Sequence, residues 1–192
     1  MLAGLAGGTV ALLAFVGVIV VIVFYVIAVY NGLVAGRVEI DNAWAQIDVQ
    51  LKRRHDLIPN LVETVKGYAG HEKETLEKVI AARNMAMNAQ GPAAQAQAEN
   101  MLSGTLKSLF AVAEAYPNLK ANENFMALQE ELTSTENKIT FARQFYNDRA
   151  MVYNTKIQQF PPNIIAGMFG FTKRDFFEVK DEAERAVPQV KF

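Results

Sequence analysis

The chain has 192 residues, with 19 Lys and Arg against 20 Asp and Glu, two histidines and no cysteine. That length suits one domain with an appendage. A net charge of −1 provides no field for steering nucleic acid, and the missing cysteines exclude disulfides, thiol nucleophiles and thiolate metal sites.

After a short tail at 1–8, residues 9–30 ("TVALLAFVGVIVVIVFYVIAVY") are dominated by Val, Ile, Leu, Phe and Ala, and no charge appears before Arg37. About 20 such residues span a hydrocarbon core of roughly 30 Å as a helix. A secretory signal would have a basic start and a shorter apolar stretch of about 7 to 15 residues. The run is therefore read as a retained transmembrane helix, with Tyr25 and Tyr30 as interfacial aromatics. Basic residues follow only on its C-terminal side, at Arg37, Lys52, Arg53 and Arg54. Basic flanks mark the cytoplasmic side, so the N-terminus is expected outside and the domain inside.

Residues 31–160 carry apolar residues at helical spacing almost throughout. Ile40, Trp44, Ile47, Leu51, His55, Ile58, Val62, Val65 and Ala69 form the first stripe, continuous with the span unless Gly32 or Gly36 breaks it. A second helix is expected over 72–90 with Leu76, Ile80 and Met87 inward, ending at Gly91-Pro92. A third has Ala94, Ala98, Leu102, Leu109, Ala113 and Tyr116 inward and stops before Pro117. The fourth and longest runs from Phe125 through Leu128, Leu132, Thr135, Ile139, Ala142, Tyr146, Ala150, Tyr153 and Ile157 to Phe160. No period-two strand appears. The expected fold is all-α: a transmembrane helix followed by an elongated antiparallel four-helix bundle whose first and last helices are long. Residues 161–192 add a Phe-rich segment, with Phe169, Phe171, Phe176 and Phe177 followed by a charge-rich stretch to Arg185. This segment either caps the bundle or meets a partner or the membrane surface.

Catalytic sets are missing from the pattern. Ser103, Ser108 and Ser134 lie in no nucleophile elbow, and Ser103 reads as a polar helix surface or a small-residue contact. There is no P-loop, and His71-Glu72 opens a zinc motif that Thr75 fails to complete. Glu130 and Glu131 diverge on one helix and read as a solvated face. Lys52-Arg53-Arg54 reads as a surface or intersubunit patch, too far along the helix for headgroups. A metal or catalytic site would need His55, Asp56, Glu63 or His71 to converge. His55 and His71 are 16 residues apart, roughly 24 Å along a helix. His55, Arg83 and Thr135 interrupt apolar stripes and suggest one hydrogen-bonded layer that fixes register. Pro59 removes the helical bond to the His55 carbonyl. It should kink the helix there, or restart it with Asp56 as N-cap.

Three stretches carry a resemblance: "YNGLVAGRVEIDNAWAQIDVQLKRRHDLIPNLVETVKGYAGHE" (30–72), "AYPNLKANENFMALQEELTSTENKITFARQFYN" (115–147) and "YNTKIQQFPPNIIAGMFGF" (153–171). With the ending "VPQVKF", they resemble the LemA family. The low-complexity stretch between Met85 and Gly104 carries little of the likeness, and Arg149-Ala150 departs from the expected pair. The resemblance implies a bacterial inner-membrane protein with one span and a cytoplasmic helical bundle. It implies no enzymatic activity, cofactor or metal. A magnetosome-membrane relative implies membrane organisation, and TPM-domain proteins or membrane proteases are implied as partners. The expectation is a non-enzymatic scaffold that touches lipid and self-associates, or else an adaptor for a membrane protease or signalling protein. The structural and interaction candidates are Trp44, His55, Pro59, Glu136, Asn137, Tyr146, Tyr153, Phe169, Phe171, Phe176 and Phe177.

Overall fold

The structure, a computed structural model, describes residues 2–178, with side chains from residue 11 onward. The ending "VPQVKF" and the charges after Glu178 lie outside the described residues. Among the described residues there are six helices and no strand: α1 (Leu2–Tyr68), α2 (Lys73–Asn88), α3 (Pro92–Ala113), α4 (Pro117–Lys120), α5 (Glu123–Lys156) and α6 (Pro162–Met168). Gly32, Gly36 and Pro59 all lie inside α1 without ending it. Contacts divide the chain into two compact units, 1–42 with 148–174 and 43–147 with 175–192.

In the first unit, Leu33 and Ile40 of α1 are buried, as are Ala150, Tyr153 and Ile157 of the α5 stripe and Ile165, Ala166 and Phe171 beyond it. The two α1 glycines permit close approach. A Cβ at Gly36 would stand 3.2 Å from Cδ2 of Tyr153, and one at Gly32 would stand 2.5 Å from Nζ of Lys156. Arg149 pairs with Glu39 at 3.3 Å and Arg174 with Asp41 at 3.1 Å. Such exposed pairs contribute at most about 1 kcal/mol each. Asn154 does more: its Nδ2 donates to the Arg174 carbonyl and its Oδ1 accepts from the Arg174 N–H, both at 2.8 Å.

The core of the second unit joins Ile58, Leu61, Val62 and Val65 of α1, and Ala69 just after it, to Leu76, Val79, Ala82 and Ala86 of α2. Ala98, Leu102, Leu106, Leu109 and Ala113 of α3, Leu119 of α4, and Phe125 and Leu132 of α5 complete it. Pro92 opens α3 behind Gly91, whose φ of 82° suits glycine. Two expected faces are rotated. In α2 the inward row is Leu76, Val79, Ala82 and Ala86, which leaves Ile80 and Met87 exposed. In α3 the inward row includes Gln95 and Glu99, while Ala94 is exposed. Alanine carries so little apolar contrast that two polar residues could displace it from the stripe. The last long helix ends at Lys156, short of Phe160, whose ring faces outward.

Candidate functional site

The centre of the second unit is built around a missing bond. Pro59 has no N–H, so the His55 carbonyl one turn earlier has no helical donor. Arg83 of α2 supplies one, its Nε donating to the His55 carbonyl oxygen at 2.7 Å. The helix therefore neither stops nor restarts at Pro59, and Asp56 is an exposed residue within α1 rather than an N-cap.

The His55 side chain points into a polar cluster. Its Nε2 lies 2.7 Å from Oε1 of Glu99. An ionised carboxylate only accepts, so the proton of that bond sits on Nε2. Gln95 donates to the same oxygen at 3.0 Å and also to the Ala86 carbonyl at 3.0 Å. The other oxygen of Glu99 takes Nη1 of Arg54 at 3.1 Å. Arg54 continues to Glu136 Oε2 at 3.0 Å and to Ser103 Oγ at 2.7 Å, and Ser103 donates to Glu136 Oε1 at 3.2 Å. The side chains of Arg54 and Glu99 are each 4% exposed, so this is a dry ion pair. Breaking such a pair from one side costs about 3–5 kcal/mol, whereas the intact pair adds little over an apolar one. Its contribution is orientation, since four helices must be in register for every bond to form.

The arrangement limits the chemistry available. Ser103 Oγ is engaged by Arg54 and Glu136, not by the imidazole, so the nucleophile-to-base hydrogen bond of acyl transfer is not made. His71, Asp56 and Glu63 are exposed, whereas the His55 side chain is buried in the polar cluster. Among the described residues no three His, Cys, Asp or Glu side chains form a metal-binding group.

Of the expected layer, His55 and Arg83 take part, but Thr135 does not. It is completely buried and its Oγ1 has no partner among the described residues, while its neighbour Glu136 joins the cluster. Asn137 is exposed and borders a cleft with Ser103, Lys107 and Glu136. Glu99 and Gln95 carried no expectation from sequence, whereas Ser103 and Arg54 were read as surface or contact residues and instead belong to the cluster. Arg54 in particular turns inward from the basic triplet, leaving Arg53 to pair with Glu131 at the surface.

The aromatic candidates form two groups, one in each unit. In the second unit Trp44 meets Tyr146 edge-on at 5.4 Å and Phe177 at 5.8 Å. Tyr146 donates its hydroxyl to the Asp175 carbonyl at 2.8 Å. Asn147 holds both backbone groups of Phe177, and Arg143 donates to the same carbonyl. Phe177 is buried and Phe176 is exposed. In the first unit Tyr30 makes edge contacts with Phe169 and Phe171, and the Arg37 guanidinium lies over the Phe171 ring. Burial pushes the phenol of Tyr153 above its ordinary range, against the opposing charges of Arg174 and Arg37. Tyr116 is raised too, because its hydroxyl donates to the Glu72 carboxylate at 3.0 Å.

Among the described residues these features define an all-helical protein with a buried ion-pair cluster and one helix, α1, long and apolar enough to cross a membrane. The family model described as the LemA family matches residues 43–192. The chain belongs to the LemA family. It is similar to Protein LemA of Metamycoplasma hominis, 29% identical over 150 residues that cover 75% of this chain and 67% of that protein. It is also similar to Magnetosome protein MamQ 2 of Paramagnetospirillum magneticum, 24% identical over 184 residues, 82% of this chain and 68% of that one. Magnetosome protein MamQ of Magnetospirillum gryphiswaldense is 22% identical over 189 residues, 84% of this chain and 70% of its own length.

Proposed function

We propose that this chain is a non-enzymatic membrane scaffold. The apolar part of α1 anchors it in an inner membrane, and the remaining helices form a bundle on the cytoplasmic side that self-associates. The observation that carries the reading is the exposure of that apolar run. Leu12, Leu13, Phe15, Val21, Ile22 and Phe24 are each more than half exposed on an α-helix without a charged residue before Arg37. A bilayer is the solvent in which such a helix is stable. Similarity to proteins named for the magnetosome supports a role in organising membrane.

Self-association draws support from a face of α1 and α5 in the second unit. Val49 and Phe141 are 63% and 72% exposed, beside Ala45, Ala142 and Phe145. Gln50 lines the same groove with a buried Oε1 that has no partner among the described residues. A second copy would cover the apolar surface and could supply the missing donor. The test is the mass of the full chain in lipid nanodiscs. Wild type is expected as an oligomer and Phe141→Glu as a smaller species of unchanged helicity. A strictly monomeric wild type would remove self-association from the proposal.

A further inference from the structure

We propose a second membrane contact, in which α6 and the turn before it lie in the headgroup layer of the bilayer that α1 enters. The inference rests on reading α1 as a span. Within the first unit, α6 buries Ile165 and Ala166 and turns Ile164 and Met168, one helical turn apart, outward at 53% and 75% exposure. Phe160 before it is 79% exposed and Phe169 after it 53%. Four large apolar side chains within a short segment face away from the protein, which marks a contact surface.

The position of this patch selects its partner. The Phe169 ring lies 4.8 Å from the Tyr30 ring and the Phe171 ring lies 5.6 Å from it, both edge-on. Tyr30 is the final residue of the apolar run, where an interfacial aromatic belongs. These two contacts hold the end of α6 at the level where a spanning helix leaves hydrocarbon. A soluble protein would have to enter the headgroup layer to cover the patch, whereas the bilayer already reaches it. The neighbouring charges also fit lipid. Lys156 places Nζ beside Gly32, and the Arg37 guanidinium lies 5.3 Å from the Phe171 ring centroid. The acidic Glu39 and Asp41 come later along α1 and are engaged by Arg149 and Arg174. Apolar side chains backed by basic ones are the composition of an interfacial segment on anionic lipid.

The absence of cysteine makes the test direct. Full-length Met168→Cys, Val20→Cys and Met151→Cys chains, each carrying an environment-sensitive fluorophore, are reconstituted in phosphatidylcholine–phosphatidylglycerol vesicles. Quenching by headgroup-level nitroxide lipid is compared with quenching by aqueous iodide. Position 168 is expected to respond to the nitroxide and lose iodide quenching, while position 151 responds to iodide and position 20 is reached only from lipid. Position 168 behaving like 151 while position 20 stays in lipid would overturn the second contact and leave the span intact. Position 168 shielded from both quenchers would mean that protein covers it, which also overturns the lipid contact. Iodide reaching position 20 would overturn the span reading itself.

Discussion

Pro59 and Arg83 illustrate how one residue's defect becomes another's docking point. A proline inside a helix costs about 3 kcal/mol or more, partly through the lost bond to the carbonyl one turn back. Here the Arg83 Nε takes that carbonyl, so the defect in α1 fixes where α2 lies. Arg83→Met should therefore cost about 1–3 kcal/mol, the penalty for an unsatisfied buried acceptor. In a Pro59→Ala background the alanine N–H can serve the same carbonyl, and the cost of Arg83→Met should fall well below half of that. Denaturant unfolding followed by Trp44 fluorescence would measure the cycle, and equal costs in both backgrounds would sink the account. The freed carbonyl was legible from Pro59 alone, and Arg83 was legible as a polar break in its stripe. Their pairing was not, because 28 residues separate donor and acceptor and only the packing of two helices brings them together. Glu99 was hidden for a related reason. In an Ala- and Gln-rich helix the apolar contrast is too weak to say which face turns inward, so nothing in the pattern marked this carboxylate as buried.

At the level of elements, the long helices were read well where large apolar residues repeat and less well where they give out. The first stripe, from Ile40 of α1 to Ala69 just past its end, is buried except for the half-covered Trp44. Phe160 was assigned to the α5 face by spacing alone, yet the helix has already ended at Lys156 and the spacing rule no longer applies. Gly32 and Gly36 looked like possible breaks in α1. The structure gives them a packing role instead, since Tyr153 and Lys156 of α5 fill the space that side chains would take. Gly36→Leu should destabilise the first unit by about 1–3 kcal/mol, because the added side chain would have to displace the buried Tyr153 ring. Gly17→Leu, with open space around its Cβ position, should leave stability unchanged. Thermal unfolding of the two variants in matched micelles distinguishes a packing requirement at Gly36 from a general intolerance of bulk in α1.

For the molecule as a whole, the sequence pattern specified a helical chain with an apolar N-terminal run. It could not specify which polar groups the helices enclose, because every bond in the cluster except the one between Gln95 and Glu99 joins residues that become neighbours only through packing. The same holds for the segment after α6. Its phenylalanines suggested either a cap or a contact surface, and the structure separates them by residue: Phe171 and Phe177 are buried, whereas Phe169 and Phe176 keep substantial exposed surface. What fastens the segment is less visible in sequence. Asn154 binds both backbone groups of Arg174, and Asn147 binds both backbone groups of Phe177. Each amide side chain acts as a lone peptide unit set beside the chain. Hydrogen–deuterium exchange of the full-length protein should consequently find two slow amides, at Arg174 and Phe177, in a stretch with neither helix nor strand. Replacing Asn147 with Asp exchanges a donor for a second acceptor facing the Phe177 carbonyl, and the slow proton at 177 should disappear while the one at 174 persists. Because the grip is on the backbone, the side chain at 174 could change freely without loosening it, so protection there would track Asn154 and not the residue it holds.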